Sequence, residues 1–290
     1  MVFLLSGEFH SALLDIIPRN EYFKSPIESV NIHEAMNMLV ENTDKKYVIF
    51  DTFKILPAKA RPSIFKHFGS TSIRVLVLKS AYLTNDCMQA LDAANLPIEE
   101  LDLSFNKINE KGVVYLEKMV PTLKVLIIEG NSIKNQGFLL LAKAISAKMV
   151  TLNVACNLIR PAAFTEFFGT VLCKSKIKVL NISRNHVGYH AFKLLVNKLP
   201  HCTHLKQLDM NCIDVPSSLF NDEFMCAIQK KQIINLSLKH NAILDDNIRE
   251  MVSSCNQWKH LRSFNLVGNV DNEDLLKEIL KKWTIQSSLR

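Results

Sequence analysis

An apolar pattern recurs eight times between residues 73 and 285, and it constrains the fold more than any other feature of this 290-residue sequence. Each unit carries leucine-like residues at positions 1, 4, 6 and 11 and asparagine at position 9. The units begin at residues 73, 98, 123, 149, 177, 205, 233 and 261, in steps of 25 to 28 residues. Random alternation of apolar residues would not keep this register, so the period indicates a tandem array of one structural unit.

Five units carry the complete pattern, and each is named below by its first residue. In units 73 and 205 the asparagine is replaced by Ala81 and Ile213, and unit 261 has Asp271 at position 11. The central leucine-x-leucine predicts a short strand with two apolar side chains on one face. Apolar residues at helical spacing follow, as in residues 138–145. The five asparagines of the complete units are Asn106, Asn131, Asn157, Asn185 and Asn241.

One strand and one helix cannot bury their own apolar face, whereas stacked units can. The pattern resembles the leucine-rich repeat, and its 28-residue step resembles the ribonuclease-inhibitor-like class of that family. The resemblance implies an α/β solenoid, a horseshoe with a parallel concave sheet and convex helices. We therefore expect about eight repeats over residues 73–285.

Residues 1–72 do not fit the pattern, and we interpret them as an N-terminal cap of the solenoid. Helical patterns occur in residues 9–17 and 27–40, and residues 47–50 predict an edge strand. A separate small domain is the alternative. At the other end, a helix near residues 272–283 is expected to close the stack, and residues 286–290 are expected to form a loose tail.

Side chains alternate along a strand, so positions 4 and 6 face the core while positions 3, 5 and 7 face the concave side. In the first units this side combines apolar residues with acids, which predicts a surface that binds a basic or amphipathic segment of a protein partner. Strand propensity on a shielded sheet, or cover by the N-terminal cap, is the alternative. The candidate partner-binding residues are Val75, Val77, Glu100, Asp102, Phe105, Val125, Ile127, Glu129, Asn153 and Asn181.

The charge distribution argues against nucleic acid as a partner. The chain carries 35 Lys and Arg against 28 Asp and Glu, a formal charge of +7. The concave positions nevertheless hold four acids and two bases, so the excess positive charge must lie elsewhere. The sequence contains no run of about 20 apolar residues, so we do not expect the chain to insert into a membrane. The charged concave residues are Glu100, Asp102, Glu129 and Asp209, with Lys79 and Lys239.

The sequence contains no motif typical of catalysis, phosphate loops or cofactor binding, so we predict a non-catalytic chain without a cofactor or metal. The stretch His201–His204, with Cys212 after it, matches no closed zinc set. The seven cysteines are scattered without a CxxC pair, which favours a reducing compartment, and no secretory signal is expected at the start. These features predict a cytoplasmic protein.

The favoured function is a protein-interaction module that holds a partner on the concave face. The alternative is a regulator of a partner enzyme, either an inhibitor or a GTPase activator that acts through Arg184 and His186. The abundance of Asn, Lys and Ile resembles secreted effectors of intracellular bacterial pathogens. That resemblance implies a location in the host cytoplasm, and an ordinary cytosolic adaptor is the alternative.

Overall fold

The computed structural model describes residues 73–253 and 260–269, residues 62 and 65, and the backbone of Tyr47–Ile49. The other segments predicted to form the cap, the closing helix near residues 272–283 and the tail at 286–290 lie outside the described residues. The assignment of residues 1–72 as a cap therefore stays a prediction.

In the part of the chain that the structure describes, nine three-residue strands form one parallel sheet, in which each strand pairs with its neighbours in the sequence. Strands β2 to β9 all cover positions 3 to 5 of their units, so the predicted register and the solenoid fold are confirmed. The first strand lies within the segment predicted as an edge strand and pairs in parallel with the second. The strands are β1 (Tyr47–Ile49), β2 (Val75–Val77), β3 (Glu100–Asp102), β4 (Val125–Ile127), β5 (Thr151–Asn153), β6 (Val179–Asn181), β7 (Gln207–Asp209), β8 (Asn235–Ser237) and β9 (Ser263–Asn265).

Helices connect successive strands and form the second layer. Most of them begin two to four residues after position 9 of a unit, where the apolar spacing changes from alternating to helical. Short 3-10 turns, including Leu172–Lys174 and Leu199–His201, lead several units back to the next strand. The helices are α1 (Asn85–Ala93), α2 (Glu110–Leu116), α3 (Lys134–Ala144), α4 (Pro161–Thr170), α5 (Tyr189–Lys198), α6 (Asp222–Lys231) and α7 (Asp245–Ser253).

The apolar core lies between the sheet and the helices, and it runs continuously through the described units. Positions 4 and 6 supply its sheet side, as Leu126 and Ile128 do in unit 123, where both are fully buried. Phenylalanines fill the helix side at the middle of the stack. Phe138 of α3 meets Phe167 of α4 with ring centroids 5.1 Å apart. Aromatic pairs at this separation add to the stabilisation from area burial.

The position-9 asparagines join neighbouring units through buried hydrogen bonds. The Nδ2 of Asn185 donates to Val154 O in the preceding unit at 2.9 Å and to Ile182 O in its own unit at 3.1 Å. Its Oδ1 accepts from the backbone N–H groups of Asn157 and Ile159, both at 3.0 Å. One amide thus satisfies polar backbone groups that the turn would otherwise leave unpaired.

Position 8 adopts a left-handed backbone conformation in all eight units. The sequence pattern does not predict this conformation. Its φ lies between 52° and 74°, although glycine occupies only two of these positions. This geometry costs about 1–2 kcal/mol for a residue with a side chain. In return the N–H extends the ladder beyond the strand: that of Arg184 donates to Asn211 O in the next unit at 2.7 Å. The eight residues are Ser80, Phe105, Gly130, Cys156, Arg184, Cys212, His240 and Gly268.

Replacing Asn185 with Ala should lower the free energy of unfolding by about 2–4 kcal/mol, because buried donors and acceptors in two units lose their partner. Urea denaturation followed by circular dichroism measures this loss. Asn197→Ala, on the exposed side of α5, is the matched control and should change stability by less than about 0.5 kcal/mol. An equal, small effect of both substitutions would contradict the structural role of the asparagine.

Candidate functional site: the concave wall

The strand register places the predicted partner-binding residues in continuous rows. We call the surface formed by positions 3, 5 and 7 the concave wall. Val75, Glu100 and Val125 are register partners at position 3. At position 5, the row runs from Val77 through Asp102, Ile127 and Asn153 to Asn181, one residue from each of five adjacent units. The structure therefore brings the candidate residues of separate repeats together.

The wall is more tightly packed than the sequence pattern predicted. The expectation that every wall residue is open to solvent is wrong for Val75, Asp102, Ile127, Asn153 and Asn181, which are all buried. Val75 and Ile127 lie outside the core cluster, so they are buried within the wall and not behind it. Adjacent strands stand about 4.8 Å apart, and rows of neighbouring side chains therefore cover one another.

In units 98, 149 and 177, the polar residue at position 5 closes the turn that follows the strand. The Oδ1 atoms of Asp102, Asn153 and Asn181 accept from the backbone N–H two residues later, at 2.8 to 3.0 Å. Asp and Asn form this local turn readily because their side chains are short. This bond gives the two amides a structural role, and their part in partner binding stays a prediction.

Glu100 is the wall residue whose carboxylate is least satisfied. It is half-buried between Val75 and Val125, and its Oε2 is buried without a hydrogen-bond donor among the described residues. Its sequence neighbour Glu99 accepts from Arg74 at 2.6 Å and from Lys124 at 2.5 Å. Burial raises the pKa of Glu100, and the charge of Lys124 only partly opposes this. The carboxylate is thus placed to gain from an external donor.

An exposed aromatic ring lies at the edge of the wall, at position 8 of the unit that contains Glu100. Phe105 keeps 46% of its surface exposed. Its ring covers Gly130, where an added Cβ would lie 2.4 Å from the Phe105 ring, so only glycine fits. The Lys79 ammonium lies 5.5 Å from the ring centroid. Sequence reasoning found Phe105 and Glu129 but missed Gly130, because its constraint comes from the adjacent unit.

The far part of the wall is polar and contains a buried acid. Asp209 of β7 accepts a hydrogen bond from Gln207 Nε2 at 3.1 Å. Burial raises the pKa of Asp209 to about 7, against the opposing effects of Gln207 and Lys239. Unlike Glu100, Asp209 is not flanked by valines. Its neighbouring wall residues in the described units are Asn181, Asn211 and Ser237.

A second surface, which we call the rim groove, lies on the loops and helix starts that follow β3 to β7. Its volume is about 850 Å³. Lys134 pairs with Glu110 at 3.5 Å, and His186 pairs with Asp214. Within the described residues, the guanidinium groups of Arg160 and Arg184 have no ion-pair partner. The groove is lined by Glu110, Lys134, Asn135, Gln136, Leu158, Ile159, Arg160, Arg184, Asn185, His186, Cys212 and Asp214.

The described part of the chain contains no group of three or more His, Cys, Asp or Glu residues arranged to hold a metal ion. None of the helices in residues 73–253 combines the length and the hydropathy that a membrane crossing requires.

Asp209→Asn should stabilise the protein at high pH. Between its ordinary value of 3.8 and its folded pKa of about 7, the folded state binds more protons at this carboxyl than the unfolded state does. Stability is therefore lost as the pH rises through this range. At pH 8 the substitution should raise the free energy of unfolding by up to about 4 kcal/mol, and at pH 4 by almost nothing.

Urea denaturation at both pH values measures the difference between the two proteins. Asp246→Asn, at an exposed carboxyl on α7, is the control and should show no comparable pH dependence. Destabilisation by Asp209→Asn that is larger at pH 8 than at pH 4 would contradict the cost assigned to the buried charge.

Comparison with known proteins agrees with the repeat architecture. A family model described as Leucine Rich repeat matches residues 94–116. Curated proteins give no match. Among solved structures, one titled "Leiomodin-1 Actin-Binding Site 2 (ABS2)" is similar, with 8% identity, a TM-score of 0.28 and coverage of 70% of this chain and 90% of that chain. The eight-fold period and the parallel sheet with its alternating helices show the fold of a leucine-rich-repeat solenoid, and one repeat of the chain matches the model of that family.

Proposed function

We propose that this chain is a non-catalytic protein-interaction module that binds a basic or amphipathic segment of a protein partner on the first half of its concave wall. The observation that carries this proposal is the Glu100 carboxylate, which has a buried oxygen without a donor between two valines. Burying a polar atom without a hydrogen bond costs about 1–3 kcal/mol. Because Oε2 itself is covered, a partner that supplies an N–H or ammonium donor recovers this cost when the half-buried carboxyl group turns toward it.

The surroundings of Glu100 suit a side chain with an apolar stem and a cationic end. Val77 and Val125 are half-buried on the wall, and Phe105 offers an exposed ring at its edge. Glu129 adds a second carboxylate, which is held by the Asn153 Nδ2 at 3.0 Å. Lysine and arginine bury their methylene groups on apolar surface while their charge reaches a polar partner. The patch therefore favours a basic segment over an acidic one.

Glu100→Gln should weaken partner binding by about 10- to 100-fold, because it removes a charged acceptor that gains its hydrogen bond only in the complex. The same change relieves a buried charge, so stability should not fall. The experiment captures partners from a eukaryotic lysate with the wild-type chain, identifies the strongest, and then titrates the purified partner against both proteins.

Two comparisons make this experiment specific. Ser237→Lys changes the same wall five units further on than Glu100 and should leave the affinity unchanged, whereas Val77→Lys should reduce it. Binding to the wild type should also weaken as the pH falls through the raised pKa of Glu100, because the protonated carboxyl loses its charge. Equal affinities of the wild type, Glu100→Gln and Val77→Lys would exclude this patch.

A second candidate function, regulation of a partner enzyme, is favoured by the rim groove. The unpaired Arg160 and Arg184 lie in one groove and could offer positive charge to the anionic groups of a partner's active site. In one form of this hypothesis, the chain activates a partner GTPase through a single arginine, Arg184. Inhibition through the acids of the concave wall is the other form.

Arg184→Ala distinguishes activation from binding alone. If the partner is a GTPase, this substitution should reduce the stimulated turnover by at least 10-fold while the dissociation constant changes by less than about 3-fold. Arg249→Ala, on α7 outside the groove, is the control. Turnover that is unaffected by both substitutions would exclude an arginine-dependent activator.

The cellular setting is proposed on the sequence alone. A cytoplasmic location, or delivery into a host cytoplasm as an effector of an intracellular bacterial pathogen, follows from composition and from the scattered cysteines. Identification of the captured partner as a host protein would support the effector hypothesis.

A further inference from the structure

Two cysteines of adjacent units bring their sulfur atoms together on the helical side of the solenoid. Cys173 lies in the 3-10 turn Leu172–Lys174, and Cys202 directly follows the turn Leu199–His201. Their Sγ atoms are 3.0 Å apart, although the residues are separated by 29 positions in the sequence. Among the described cysteines, this is the one pair with sulfur atoms in contact.

The surroundings hold both thiols in place. The two Sγ atoms lie 3.5 and 3.4 Å from the same acceptor, the carbonyl oxygen of Lys198. A disulfide has an S–S length of about 2.05 Å, so the sulfur atoms need to approach by only about 1 Å.

We propose that Cys173 and Cys202 are a redox-active thiol pair that low-molecular-weight disulfides oxidise to a cross-link between two adjacent repeats. In the first step the Cys173 thiolate attacks the external disulfide, forms a mixed disulfide and releases one thiolate. In the second step Cys202 loses its proton and attacks the Cys173 sulfur, which releases the second external thiol. The two protein thiols are oxidised, and one external disulfide is reduced to two thiols.

The exposure of the two cysteines sets this order. Cys173 is half-exposed and accessible to a small oxidant, whereas Cys202 keeps only 2% of its surface exposed. Burial raises the pKa of Cys202 far above its ordinary value, so it remains a thiol until an acceptor sulfur lies beside it. The charge of the buried Lys231, which donates to Thr203 O at 3.4 Å, favours its deprotonation.

The cross-link would tie unit 149 to unit 177 on the side opposite to the concave wall. A disulfide stabilises mainly by restricting the unfolded chain. We expect the oxidised protein to unfold at a temperature about 5–10 °C higher than the reduced protein. The proposal does not depend on the partner-binding surface, because the two sites lie on opposite faces of the sheet.

Glutathione disulfide is the probe for the test, applied to the dilute, folded wild-type chain. Remaining thiols are then alkylated, and the protein is digested without reduction and analysed by mass spectrometry. We expect a peptide that contains Cys173 linked to one that contains Cys202 within the same molecule. Cys202→Ser should trap glutathione on Cys173, and Cys173→Ser should leave Cys202 unmodified. Cys212→Ser is the matched control and should retain the cross-link.

Glutathione bound to the exposed Cys156 shows that the oxidant has reached the folded protein. If Cys156 is modified while Cys173 and Cys202 both remain free thiols, the proposal is overturned. A cross-link that joins two molecules, or one that forms only in urea, overturns it as well. The wild-type result is decisive even if one of the serine variants does not fold.

Discussion

The structure depends on hydrogen bonds that pass from each unit to the next at the turn after the strand. The strands themselves are only three residues long, so the ladder within them pairs few of the backbone groups between one helix and the next. Position 8 donates its N–H across the boundary, and the asparagine of position 9 spans the same boundary with its side chain. Without these bonds, a core built from 25- to 28-residue units would contain unpaired buried groups at every turn.

Where the asparagine is missing, backbone bonds take over part of its role. Ile213 occupies the position in unit 205, and there the N–H of Val187 donates to Ile213 O at 3.0 Å. The following unit restores the usual pattern, since the Asn241 Oδ1 accepts from Ile213 N at 2.9 Å. The stack therefore tolerates an incomplete repeat because both of its neighbours contribute bonds to it.

The same close spacing of units shapes the concave wall. Rows of short side chains cover one another, and Asp102, Asn153 and Asn181 each accept a hydrogen bond from the adjoining turn. What distinguishes the first half of the wall is the combination of half-buried valines, the exposed Phe105 and the unsatisfied Glu100. The proposed binding surface depends on this carboxylate without a hydrogen-bond donor among the described residues, and the repeat fold alone would not predict it.

The sequence by itself determined the period, the strand positions, the buried faces and the role of the asparagines, because each follows from the spacing of residues within one unit. It also located the rows of candidate residues. Only the tertiary structure decided which of them are covered, that Arg74 and Lys124 both pair with Glu99, and that Cys173 meets Cys202. Burial and pairing depend on residues 25 to 29 positions away, and the pattern of a single repeat carries no information about them.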